Sequence, residues 1–172
     1  MLILTPRLVI RDYSPADLDD LHEILSDPKV MYFCETPYTY AQSQEMLSYF
    51  LEHAIGYAVA LVDTGKLIGH LLFHQLPSEE DIYEIGWFFH QHFWGHGFAF
   101  EACQAMLNYG FQELQLHKIC AETIDPVRSV CLMEKLGMKR EGVFHSHVKD
   151  PRGQWVDVYW YGICNSMEET LL

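Results

Sequence analysis

The sequence predicts an α/β fold, a mixed sheet with helices on its faces. Three observations predict it. Strand-like and helix-like runs alternate along the chain, uninterrupted by a repeat, a linker or a low-complexity segment. Helix caps and hairpin signals punctuate those runs. A glycine pair, Gly95 and Gly97, stands where a strand-like run passes directly into a helix-like one. At 172 residues, 49% hydrophobic and 14% aromatic, the chain can bury a real core. It is read most simply as a single domain over residues 1–172.

The first strand reads Leu8-Val9-Ile10-Arg11. Ser14 then offers a helix cap, with Pro15 at the first helical position and Asp17 in the first turn. Leu18, Leu21 and Leu25 follow at helical spacing until Pro28. Thr39 and Gln42 form a capping-box pattern for a second helix. Its apolar face is Met46, Leu47, Phe50 and Leu51. Two β-like runs, 57–62 and 67–74, flank Asp63-Thr64-Gly65-Lys66, a hairpin signal. Ile85, Trp87 and Phe89 alternate with Glu84, Gly86 and Phe88 in the next strand. A helix over 98–114 presents Ala102, Cys103, Met106 and Leu107 inward. Residues 117–123 read as a strand and 129–136 as a short helix, with Gly137 as its stop. Two last strands, 143–148 and 155–163, flank the turn Asp150-Pro151-Arg152-Gly153. The order is β-α-α-β-β-β-α-β-α-β-β.

Charge and composition exclude several classes. A net charge of −13 argues against a nucleic-acid binder. It suits a cationic acceptor such as an amine, and equally plain solubility. No apolar stretch reaches the length of a membrane helix. Met1-Leu2-Ile3-Leu4 is too short for a signal segment, so a cytoplasmic protein is expected. The five cysteines are odd in number and contain no Cys-x-x-Cys, which indicates neither a disulfide framework nor a zinc ribbon. Most lie in apolar runs and are expected to be buried thiols. The histidine pairs His90/His92 and His145/His147 have spacing that lets both rings share a strand face, but no third ligand follows at a recognisable spacing. No metal is expected.

The run Phe93-Trp94-Gly95-His96-Gly97-Phe98-Ala99 carries the chemistry. Two glycines let the backbone turn tightly and approach a ligand. The following helix points unpaired N–H groups and its positive dipole end into that turn. Strand, glycine turn and helix N-terminus together make an anion site. A Walker loop is absent, and the third glycine of a dinucleotide fingerprint is Phe100 here. The residues alone specify a phosphate-like anion near Gly95–Ala99, or an ordinary turn.

The stretch from Glu84-Ile85-Gly86-Trp87-Phe88-Phe89 through Trp94-Gly95-His96-Gly97-Phe98-Ala99-Phe100-Glu101-Ala102 resembles the acetyl-CoA segment of the GNAT N-acetyltransferases. It is most similar to the branch that includes the ribosomal-protein N-terminal acetyltransferases. Two further matches fall in order along the chain. One is Thr5-Pro6-Arg7-Leu8-Val9-Ile10-Arg11. The other is Asp125-Pro126, Ser129 and Met133-Glu134-Lys135-Leu136-Gly137-Met138-Lys139-Arg140-Glu141-Gly142. The resemblance spans nearly the whole chain and implies the same element order.

It also implies roles. The amides of Gly95, His96, Gly97, Phe98 and Ala99, with Trp94 leading in, would face the pyrophosphate of coenzyme A. The backbone of Phe88, Phe89 and His90 would pair with the pantetheine arm as an added strand does. The strand would bulge or splay here to open a slot for the thioester. His96 replaces the family's basic loop residue. Glu84 resembles the glutamate that serves some members as base. Such a carboxylate, with an ordinary pKa of ~4.3, needs burial to become a useful acceptor at neutral pH. His90 is its rival. Met133 stands where many members place a tyrosine acid; Ser129 or water would serve the leaving thiolate, or the thiolate would leave unassisted. Ser129 is otherwise a helix cap or coenzyme contact. The loop before the last helix is short, and Val127-Arg128 replace the usual asparagine; Arg128 is a candidate phosphate contact. The aromatics Tyr32, Phe33, Tyr38 and Tyr40 would line the acceptor pocket or pack beneath a loop.

The expected activity is acetyl transfer from acetyl-CoA to a primary amine, on a protein N-terminus or a small molecule. Two other readings stay open: a coenzyme A-binding sensor with little turnover, and an unrelated phosphate-ligand binder. Oligomeric state is open too; a homodimer paired through the last strands is one arrangement.

Overall fold

The computed structural model describes residues 1–77 and 80–165. One eight-stranded sheet runs in the order β1-β2-β3-β4-β5-β6-β8-β7. Its strands are β1 (Leu2–Leu4), β2 (Leu8–Asp12), β3 (Gly56–Leu61), β4 (Leu67–Gln75), β5 (Ile82–Phe89), β6 (Lys118–Thr123), β7 (Lys139–Lys149) and β8 (Trp155–Cys164). Four helices cover it: α1 (Leu18–Leu25), α2 (Tyr40–His53), α3 (Phe98–Gln112) and α4 (Arg128–Lys135). Every neighbouring pair is antiparallel except β5 and β6. That parallel pair needs a crossover, and α3 supplies it.

The predicted order holds, with one strand added in front. β1 was not expected, because three residues are too few to show a period. It pairs with β2 in the register Leu2↔Arg11, Ile3↔Ile10, Leu4↔Val9. The first helix also starts later than its cap suggests. Ser14 precedes the turn as its cap position suggested, and its N–H donates to the Asp17 carboxylate at 2.7 Å. The turn Pro15–Asp17 is nevertheless 3-10, and α-geometry begins at Leu18. At α2 the reciprocal box forms: Thr39 N–H donates to Gln42 Oε1 at 2.8 Å and Gln42 N–H to Thr39 Oγ1 at 3.4 Å.

Each face of the sheet carries its own core. Ala102, Cys103, Met106 and Leu107 of α3 and Met133 of α4 pack with Ile85 and Phe89 on one face. Leu21 and Ile24 of α1 and Leu47 and Phe50 of α2 pack on the other, where Phe88 joins them. Leu51 departs from its predicted inward place and is 45% exposed. Cys103 and Cys120 are buried, but Cys34, Cys131 and Cys164 are exposed, contrary to the reading of most thiols as buried. An apolar sequence neighbourhood does not fix which way one small side chain points.

Among the described residues no helix is long and apolar enough to cross a membrane, and no three His, Cys, Asp or Glu side chains converge as a metal site. In the last hairpin β7 is one edge strand of the sheet, opposite β1, while β8 is held between β6 and β7.

Candidate active site

β5 and β6 are joined only at Ile82↔Lys118, Tyr83↔Ile119 and Glu84↔Cys120. Beyond Glu84 the strands part, although β5 continues to Phe89 and β6 to Thr123. The result is a wedge-shaped slot with Glu84 at its closed end. The splay lies wholly on this side, because β4–β5 pairing runs from Gln75↔Tyr83 to Gly69↔Phe89 without a register shift.

Glu84 is half-buried. Burial, then the nearby Glu122 carboxylate, raises its pKa above the ordinary glutamate value, while His74 opposes the shift. His74 stands directly across from it on β4. Cys120, its partner on β6, keeps its proton: burial and the Glu84 charge push the thiol up to about 12. The thiol donates to the Tyr83 carbonyl at 3.4 Å.

The three residues expected to carry the pantetheine arm do not present their backbones alike. The His90 N–H donates to the Ile68 carbonyl at 2.9 Å, so it is spent on β4. Phe88, two residues earlier in the same phase of the ladder, directs its polar groups the same way. Of the three, Phe89 alone turns its backbone to the slot. Its carbonyl already accepts the Trp94 indole N–H at 2.6 Å. Side chains follow the same alternation. Phe88 lies 5.7 Å from the buried His70 ring on the α1 face. Phe89 lies on the α3 face against Gly69, where an added Cβ would fall 2.4 Å from its ring. His90, the rival base, leaves the strand, and its Nε2 lies 3.9 Å from Glu23 of α1. That directs it away from the closed end of the slot.

The glycine loop leads into α3 as the sequence suggested. Gly95 and Gly97 have φ of +78° and +80°, a left-handed conformation that side chains resist. Nothing lies within 4 Å of where a Gly95 Cβ would be. Gly97 caps α3, whose ladder begins with Glu101 N–H to the Gly97 carbonyl at 3.0 Å. The amides of Phe98, Ala99 and Phe100 therefore have no acceptor within the helix. His96 Nδ1 lies 2.9 Å from the Trp94 carbonyl. A carbonyl only accepts, so Nδ1 carries the proton.

Ser129 is a correction as a helix cap. α4 starts one residue earlier, at Arg128, with Val127 at the N-cap position, and the amides there turn to Asp125. Its Oδ1 accepts the Val127 and Arg128 N–H groups at 3.0 and 3.1 Å. Ser129 sits half-buried in the first turn. Arg128 pairs with Asp125 at 3.2 Å and stacks 4.6 Å over the Trp94 ring. With Pro28, Lys29 and Tyr32 these two side chains line a cavity of about 430 Å³. Arg152, in the β7–β8 turn, bonds the Tyr32 hydroxyl and ties that turn to the α1–α2 connection. Tyr40 instead turns to Asp19, at 2.8 Å.

Sequence reasoning assigned no role to Arg7, Glu101 or the Trp94 indole. Arg7 lay inside a recognised motif, but 94 residues separate it from Glu101. No local pattern marks such a pair.

The acetyltransferase (GNAT) domain profile matches residues 7–139, most of the chain. The protein belongs to the GNAT acetyltransferase family. It is 39% identical over 168 residues to the uncharacterized N-acetyltransferase YnaD of Bacillus subtilis, covering 95% of this chain and 96% of that protein. A GNAT-family acetyltransferase from Bacillus anthracis superposes with a TM-score of 0.90 at 35% identity, over 96% of this chain and 99% of that one. Spermidine N-acetyltransferase from Vibrio cholerae, solved with CoA and spermine, superposes at 0.82 and 23% identity, over 94% and 98% of the two chains. At that identity the likeness shows the fold alone. GNAT acetyltransferases take their acetyl group from acetyl-CoA. This GNAT chain offers fitting ground for that co-substrate: open space at Gly95, a helix N-terminus and a splayed strand.

Proposed function

We propose that the chain works as a single-domain, acetyl-CoA-dependent N-acetyltransferase acting on a primary amine, by direct attack and with no covalent enzyme intermediate. The observation that supports this is that β5 pairs with β6 only as far as Glu84 and then runs on, unpaired with β6, toward the glycine loop. Acetyl-CoA supplies the activated thioester. The amides of Gly95 to Ala99 hold its pyrophosphate, and the Trp87 and Phe89 edge of β5 is where its arm docks. Glu84, raised by burial and Glu122, takes the proton of the acceptor ammonium directly or through water. The neutral amine then forms the new N–C bond as the C–S bond breaks. The proton that the nitrogen sheds as the amide forms reaches the sulfur by relay through the Ser129 hydroxyl, in the first turn of α4, or through solvent. The acceptor is a protein N-terminus, as in the ribosomal-protein branch, or a small-molecule amine.

One observation favours the coenzyme-sensor reading: Met133, where many members place an acid, is fully buried and cannot donate. Two measurements separate the readings. Calorimetry with acetyl-CoA should show saturable binding, with no response to ATP or NAD. A panel of amines should then release free thiol. Binding without release across the panel means a sensor. Preference for ATP or NAD by the folded protein overturns both.

A further inference from the structure

The glycine loop is held from behind by side chains. Arg7, in the turn between β1 and β2, reaches α3 by several bonds. Its Nε donates to Glu101 Oε2 at 2.6 Å, and its backbone N–H donates to Oε1 at 3.1 Å. Thr5 Oγ1 donates to the same Oε1 at 2.6 Å. Arg7 Nη1 donates to the His96 carbonyl at 3.0 Å. The guanidinium also lies 4.4 Å over the Phe98 ring.

These contacts have a directional consequence. A peptide unit is planar and trans, so its C=O and N–H point opposite ways. Tying the His96 carbonyl to Arg7 aims the Gly97 N–H away from Arg7. In the same way, His96 Nδ1 on the Trp94 carbonyl aims the Gly95 N–H away from that ring. The two amides on either side of His96 are thus each oriented by a side-chain peg on the preceding carbonyl. Glycine at both positions leaves the backbone floppy without such pegs.

There is also an electrostatic consequence. Glu101 lies in the first turn of α3, beside the helix end that is to receive an anion. An unpaired carboxylate there would oppose a phosphate. The Arg7 and Thr5 bonds hold Glu101 ionised, below its usual range against the effect of its own burial. The same guanidinium neutralises it.

We propose that Arg7 is a positioning residue for the coenzyme: it orients the Gly97 amide through the His96 carbonyl and cancels the Glu101 charge beside the anion site. The proposal rests on the functional reading above and deepens it. Arg7 touches neither thioester nor amine, so it governs coenzyme affinity and not the chemical step.

The test uses the full chain with Arg7→Lys, Arg7→Met and the double variant Arg7→Met/Glu101→Gln, each checked for folding by thermal melting. Arg7→Lys keeps the charge and loses the forked reach to His96. Its Kd for acetyl-CoA should rise about tenfold, ~1.4 kcal/mol, with kcat and the KM for the amine unchanged. Arg7→Met should bind worse still, and its excess loss should shrink with added salt, because it comes from the bared Glu101. The double variant should return to the level of Arg7→Lys. Backbone amide order parameters of the ligand-free protein should fall at Gly95 to Ala99 in all three. Wild-type affinity together with wild-type loop order parameters in Arg7→Lys overturns the proposal. If the wild-type chain itself fails to bind acetyl-CoA, the functional reading falls, and the loop order parameters still decide whether Arg7 is the peg.

Discussion

Replacing Glu84 by glutamine gives the sharpest test of the site, because two effects of opposite sign are expected from one atom change. The carboxylate is half-buried, faces Glu122 and is held above the ordinary glutamate pKa. As a base it works only when ionised. The rate kcat/KM should therefore fall as pH falls through that raised value, at a higher pH than an exposed glutamate would give. Glutamine keeps the shape and removes the acceptor. General-base contributions run to about 10²–10⁴ in rate, so kcat should drop by ~3–5 kcal/mol of barrier, with coenzyme affinity kept. Stability should move the other way. A carboxyl whose folded pKa is raised contributes its stability below the unfolded value of ~4.3 and loses it as pH rises through the folded one. At pH 7 wild type thus carries a poorly solvated charge that Glu84→Gln lacks. The variant should melt at or above the wild-type temperature. Stopped assays of thiol release from pH 5 to 9, beside melts at pH 7, read both. Loss of activity with loss of stability, or an acidic limb that survives the substitution, would refute the assignment.

Two further outcomes follow from the packing around the slot. His70, buried between Phe50 and Phe88 with its Nδ1 2.8 Å from the Tyr13 hydroxyl, has its pKa lowered by burial to about 3. Between that value and 6.5 only the unfolded chain takes the proton, so stability falls with pH across this window, by ~2 kcal/mol from pH 7.5 to 5. Urea unfolding of His70→Gln at both pH values should show that part of the slope gone; an identical slope in the two proteins contradicts it. Gly69→Ala drives a Cβ to 2.4 Å from the Phe89 ring, which should cost about 1–3 kcal/mol as overpacking and weaken coenzyme binding through the Phe89 edge. Gly142→Ala, with nothing within 4 Å, should be neutral in both assays.

How much of this was readable in the sequence depends on how local each cause is. The capping pair Thr39–Gln42, the inward face of α3 and the left-handed glycines of the loop are decided within a few residues, and each was legible. Glu84, read as the start of the strand that leads to the loop, lies two residues inside it, because β5 begins at Ile82. The splay was expected only through resemblance, since the strand itself carries no mark of where β6 leaves it. β1 was too short to show alternation. The N-cap position of α4 is Val127 and not Ser129, and the amides there converge on the Asp125 carboxylate, a geometry that residue types do not specify. Arg7 with Glu101 and Tyr32 with Arg152 join sites 94 and 120 residues apart; such pairs exist only once the sheet has closed.

The acidity of the chain and its proposed ligand pose a conflict that the site geometry resolves. A chain of net charge −13 should repel a coenzyme with several phosphates. Nor do its nearby arginines supply a free positive patch. Arg7 is paired with Glu101, Arg128 with Asp125 and Arg152 with Asp150. Cations matched in this way leave the long-range field negative, which favours approach of an ammonium acceptor. They also leave the anion to oriented amides and a helix end, whose influence fades within a turn or so of helix. Attraction for the amine and grip on the phosphate thus act over different distances and need not cancel. On this account acetyl-CoA binding depends on how well the amides of Gly95 to Ala99 are aimed, more than on any single charge. The pegs on the Trp94 and His96 carbonyls matter for that reason, although neither contact touches the reacting atoms.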